Sequence, residues 1–214
     1  MDELAEKMLE LDELLLQRLN KYGFKKKRKH VFNRLIGECL QNITIVETKT
    51  RGKSEVHICI CVGFSYEKVN RLISFIQNKK YDKKWATAGN NLGALIRPKI
   101  PYGFYIRETT DLSPIVDDIM HNIEKYAFDF FESCSSLEKY EKMLIDKDEN
   151  VRSSTSGLKR AEWNLLALAL LLNHYDYEEI FEKYKDDFNR NVSLLQVAKE
   201  RISDYDVVKE SELI

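Results

Sequence analysis

Residues 55–62 read EVHICICV, a strict alternation in which Val56, Ile58, Ile60 and Val62 fall on one side of an extended chain and His57, Cys59 and Cys61 on the other. A strand of this kind needs neighbours for its backbone hydrogen bonds and a second layer to cover its apolar side. Two further segments, about 29–36 and 39–49, carry strand character, and the polar stretch TRGKS supplies the turn before the EVHICICV strand at 54–63. In the first of them Val31, Asn33 and Leu35 alternate with Phe32, Arg34 and Ile36, so apolar groups stand on both sides. Two short strands are expected at 94–98 and 102–107.

Helical periodicity fills the rest. Leu4, Met8, Leu11, Leu15 and Leu19 form a stripe over residues 3–20, which Tyr22-Gly23 then stops. Val69, Leu72, Ile73 and Ile76 predict a helix over 65–80. Pro114 opens another over 114–132, followed by 136–145. Beyond these lie helical segments near 158–173, 176–188 and 192–202. The expected fold is α+β: an antiparallel sheet of about five strands covered by helices, followed by a small C-terminal helical region. The expected organisation is an α+β domain over 1–148, a linker over 149–157, and a helical region over 158–214 packed on the first.

A net charge of -1 conceals strong segregation. Residues 21–110 carry 19 basic and 6 acidic side chains, whereas residues 111–214 carry 13 basic and 23 acidic ones. Such a chain either pairs its segments internally or presents two opposed fields. The opening residues lack the basic start and cleavage site of a signal peptide, and the longest apolar run, Trp163 to Leu172, is too short to span a membrane. Four cysteines at no framework spacing fit reduced thiols. The expectation is a soluble cytoplasmic protein with no membrane partner.

The run Lys25, Lys26, Lys27, Arg28 and Lys29 suits phosphate binding, but no aromatic residue interleaves with it. It is read as a solvated connection between the first helix and the first strand, near a sheet edge where lysines discourage pairing with other chains. His57, Cys59 and Cys61 share a strand face, but no second ligand pair lies near them in sequence. They are expected as small side chains beneath a helix rather than as a zinc site. Asp146, Asp148 and Asn150 begin like a calcium loop, which Val151 and Gly157 then break. No nucleophile elbow, phosphate loop, HExxH or dinucleotide motif occurs, and the four histidines are scattered. No catalytic residue, cofactor or metal is therefore expected. Tyr177, Phe181, Tyr184 and Phe188 form an aromatic stripe, expected as a docking face onto the core or onto a protein partner.

The order of a leading helix, GFKKKRKHVFNR, CLQNITIVE, VHICICVGF and LGALIRPKIPYGFYI resembles the bacterial domain of unknown function 4304 family over about residues 5–145. The carrying positions are Gly23, Phe24, the basic run, Phe32 and Arg34. The resemblance implies no established reaction. The expected function is non-catalytic protein binding, most concretely the neutralisation of a toxin by an immunity protein. In that version the acidic region 111–150, with Asp117, Asp118 and Glu124, meets a basic nuclease toxin. The alternative is a nucleic-acid-binding module using residues 21–53, including Arg34; an enzyme with a site assembled from distant residues is a third reading.

Overall fold

The structure is a computed structural model that describes residues 3–49, 54–83, 86–96, 102–146 and 161–172, with the isolated positions 179 and 200. The chain divides into two compact units, each interrupted in sequence: Met1–Phe64 with Gly89–Ser133, and Ser65–Ala88 with Cys134–Ile214.

The first unit opens with helix α1, Glu3–Leu19. Glu3 and Glu6 in its first turn and Arg18 in its last complement the helix dipole. A 3-10 turn, Asn20–Tyr22, follows, and Gly23 ends it at φ 81°, donating its N–H to the Asn20 carbonyl at 2.9 Å. This left-handed position is cheap for glycine alone, which is why the stop at Tyr22-Gly23 was legible.

The strands are β1 Lys25–Arg28, β2 Val31–Ile36, β3 Cys39–Lys49, β4 Val56–Tyr66, β5 Ala88–Asn91 and β6 Phe104–Ile106. They form one six-stranded antiparallel sheet in the order β1-β2-β3-β4-β5, with β6 also pairing β4. The basic run is thus not a connection but an edge strand. Lys25 pairs with Asn33 and Lys26 with Phe32, then a bulge intervenes before Arg28 pairs with Val31. β2 begins at Val31 rather than at residue 29, because Lys29 and His30 turn the hairpin and His30 adopts φ 62°. From β2 to β3 the register runs from Val31↔Thr44 to Ile36↔Cys39 around Gly37 at φ 56°.

Alternation together with this register puts Lys26, Phe32, Arg34, Ile43, Ile45 and Glu47 on the same side as the buried row Val56, Ile58, Ile60 and Val62. On this closed face lie α1 and α5, Phe128–Ser133. Phe130 of α5 packs on Phe64 with ring centroids 5.8 Å apart, and Phe131 on Phe24 at 6.1 Å. The expected helix 114–132 is realised as α4, Ser113–Asn122, a π turn over Ile123–Ala127, and α5 in succession.

The expected strand 94–98 is corrected by a short helix, α3, Leu92–Ile96. The Asn91 side chain accepts from the Gly93 N–H at 2.8 Å, an Asx cap that starts a helical turn where a strand was expected. The strand of this region precedes it, as β5. The second short strand is present as β6, in register Val56↔Ile106 and His57↔Tyr105.

The second unit contains α2, Glu67–Ile76, α6, Leu137–Ile145, and α7, Ala161–Leu172. The helix expected from residue 65 starts at Glu67, because β4 runs on to Tyr66. Trp163 to Ala169 are all buried, so α7 is apolar all round rather than amphipathic. Within this buried stretch Asn164 donates to the Thr87 carbonyl at 3.4 Å. The Tyr66 hydroxyl donates to the Cys134 carbonyl at 2.7 Å. The linker 149–157, the helices 176–188 and 192–202 and the aromatic stripe of Tyr177, Phe181, Tyr184 and Phe188 lie outside the described residues.

Candidate functional site

The pleat of β1 sorts the basic run. Lys26 turns inward, and its ammonium lies 2.9 Å from Oδ2 of Asp12, a residue of α1 with no solvent exposure. Asp12 also accepts from the backbone N–H of His30 at 3.0 Å and from its Nδ1 at 2.7 Å. These two bonds hold a non-glycine residue in the left-handed turn. The His30 Nε2 in turn meets Oε1 of Glu47 on β3, which Lys29 approaches at 3.3 Å. Burial pushes the Asp12 carboxyl up, but the bonds from His30 and Lys26 outweigh it and hold the group below its ordinary value. Helix, hairpin turn and third strand are thereby tied through one imidazole.

Chemically this cluster is a lock. Both ring nitrogens of His30 are engaged by carboxylates, no hydroxyl or thiol is bonded to them, and Asp12 has no exposed surface. The cluster was not legible as a motif, since its members stand 18 and 17 residues apart. One signal for it exists. Asp12 falls on the apolar stripe of α1, four residues after Met8 and three before Leu15, where a carboxylate demands partners.

Arg34 also faces inward. Its guanidinium lies over the rings of Phe24, Phe128 and Phe131 at 4.6, 5.0 and 5.8 Å, with Nε donating to Gln41 at 2.6 Å and Nη1 to the Tyr22 carbonyl at 3.1 Å. With Nε and Nη1 engaged within the unit and the guanidinium plane over three rings, the side chain acts as a pillar between strand and helix. Burial lowers its pKa.

The acidic candidates stand on α4 and the π turn, where Asp117, Asp118 and Glu124 are exposed. Each meets a partner within the unit. Arg18 donates to Asp117 at 2.9 Å, Tyr102 donates to Asp118 at 2.8 Å, and Tyr22 donates to Glu124 at 2.6 Å, with Lys21 3.3 Å away. The hydrogen bond from Tyr22 is the chief cause that holds the Glu124 carboxyl below its ordinary value. Part of the charge segregation is thus consumed inside the fold.

Lys25, Lys27 and Arg28 remain exposed, with no ion-pair partner among the described residues. Lys25 and Arg28 belong to the other face of the sheet, with Asn33, Asn42, Val31 and Thr44 as cross-strand neighbours. On this open face Leu35 is 65% exposed, Val46 39% and Tyr105 61%. His57, Cys59 and Cys61 lie here too, half-buried, with the His57 ring 4.9 Å from that of Tyr105. They were expected as small side chains beneath a helix; the ring that packs on His57 is Tyr105 of the neighbouring strand β6. Burial, and then the proximity of Cys59, push the Cys61 thiol up to about 11, so it stays protonated at neutral pH. Among the described residues no three His, Cys, Asp or Glu side chains converge as metal ligands. No helix among them is long and apolar enough to cross a membrane.

An antiparallel sheet with a basic, bulged strand at one edge and helices on one face defines an α+β domain. Residues 15–133 match the family described as Domain of unknown function (DUF4304), and the chain belongs to that family. No curated protein and no solved structure matches the chain.

Proposed function

We propose that this chain is a non-catalytic protein-binding domain that receives its partner on the open face of the sheet. The observation that carries the reading is the set of large apolar side chains, Leu35, Val46 and Tyr105, exposed on a rigid sheet face. The His30 cluster, which carries acid–base groups, is locked internally, and this supports binding over catalysis. A bulged, all-basic edge strand opposes recognition by strand addition, so the partner docks face-on.

In its finer form the domain is a bacterial, cytoplasmic immunity protein, and the partner is a toxin whose active site it covers. Support for this form is analogy of fold alone, since small α+β domains recur in that role. The test is co-expression with the product of the adjacent gene. The expected result is growth arrest by that product, relief by this chain, and a stoichiometric complex on size exclusion. Leu35→Asp and Tyr105→Asp should abolish relief while leaving the far-UV spectrum unchanged. Relief undiminished in both variants would remove the open face from the function, and no relief by the parent chain would end the immunity form.

A further inference from the structure

The open face has a charge character as well as an apolar one. Of the positions that point outward on β1, β2, β3, β4 and β6, none is Asp or Glu, whereas Lys25 and Arg28 are both basic and exposed. Of the neighbouring carboxylates, Glu38 lies in the turn between β2 and β3, outside the strands. Glu47 faces inward to His30, and Glu55 is buried and takes two hydrogen bonds from Arg107, at 2.9 and 2.8 Å. The exposed carboxylates Asp117, Asp118 and Glu124 stand on the helical side of the same unit. An approaching anionic surface is therefore favoured at the sheet.

Resting on the protein-binding reading above, we infer that the partner of the open face is a protein surface with an apolar centre and carboxylates beside it. Leu35 and Val46 take its apolar side chains, and Lys25 and Arg28 at the β1 edge meet its carboxylates. A nucleic acid is the other polyanion that a basic face attracts. Single strands are held by successive aromatic platforms, however, and on this face Tyr105 is the one large exposed aromatic among the described residues, beside exposed aliphatic groups. The aliphatic character decides for protein.

The experiment is an amide NMR titration of the full chain at about 0.15 M salt. The probes are a peptide of alternating Glu and Leu, its Lys/Leu counterpart, and an oligothymidylate of about twelve nucleotides. The Glu/Leu peptide should saturate, with shifts concentrated at Leu35, Val46 and Tyr105. Its affinity should fall about tenfold in Lys25→Glu/Arg28→Glu, with the remaining resonances in place. Equal binding of the Lys/Leu peptide, or no effect of the charge reversals, would overturn the inferred partner while leaving the protein-binding reading intact. Saturation of the face by oligothymidylate in preference to the Glu/Leu peptide would overturn both. Failure of every probe to shift those three residues would overturn the inference alone, since rescue by the adjacent gene's product tests the broader reading separately.

Discussion

The two faces of the sheet are built by alternate residues of the same strands, yet they differ sharply in burial and in how their charges are met. On the closed face Ile58 and Ile60 have no exposure and the polar residues come with partners: Lys26 and His30 with Asp12, Arg34 with Gln41 and three rings. On the open face Leu35 and Tyr105 retain well over half of their surface, and the charges of Lys25 and Arg28 meet no ion-pair partner among the described residues. The difference shows that strand pattern sets which residues share a side, while the helices decide which side becomes a core. Substitutions on one face should therefore act on stability and those on the other on binding.

The strongest test lies at the buried carboxylate. Asp12→Ala leaves Lys26 and His30 facing an empty site under the helix, and should cost about 3–5 kcal/mol in urea unfolding. A loss below about 1 kcal/mol would mean that water reaches the cluster and the closed face is less closed than described. Next comes a matched pair of apolar truncations. Ile58→Ala on the closed face should cost about 2–5 kcal/mol. Val46→Ala, 39% exposed on the open face, should stay within about 0.5 kcal/mol. Similar losses for the two would dissolve the comparison.

A smaller effect is the acid limb of stability. The folded-state carboxyl of Asp12 lies below its ordinary 3.8, so folding favours the ionised form. Its stabilisation is fully present above that value and is lost as pH falls through the lower folded value. Asp12→Asn should accordingly flatten the stability profile below about pH 4 relative to the parent, as read from unfolding midpoints. A parallel profile would mean that other carboxylates carry the acid limb.

The strands that were legible are those where burial and alternation coincide. Val56, Ile58, Ile60 and Val62 announce β4, and β3 was expected at 39–49, the span it occupies. The edge strand β1 was not legible, because four consecutive cations carry no apolar alternation and its hydrogen bonds come entirely from β2. α3 was hidden because a five-residue apolar run is too short for its period to separate helix from strand, and a side-chain cap from Asn91 decided it. Family membership was legible in the Gly-Phe, basic run and Phe-x-Arg order, and the match over residues 15–133 bears it out. The lock around His30 brings together residues from a helix, a turn and a strand, and only the stray carboxylate in the α1 stripe hinted at it.

The last and smallest effect separates lysines that read alike in sequence. Lys25, Lys26 and Lys27 are consecutive and identical in chemistry, so the sequence alone suggests that all three are dispensable for folding. The structure makes one of them different. The Lys26 side chain is 27% exposed and lies 2.9 Å from a carboxylate with no exposure, whereas Lys25 and Lys27 are open to solvent and have no ion-pair partner among the described residues. Removing a cation from a buried carboxylate is costlier than removing one from solvent, but His30 stays bonded to Asp12 and limits the loss. Lys26→Gln should therefore destabilise by about 1 kcal/mol, and Lys25→Gln/Lys27→Gln by nothing measurable. The triple change should match Lys26→Gln alone, since exposed charges on the opposite side of the strand add independently. A double variant as costly as Lys26→Gln would mean that the outward lysines also hold the fold together, and the division between the closed and the open face would fail at its edge.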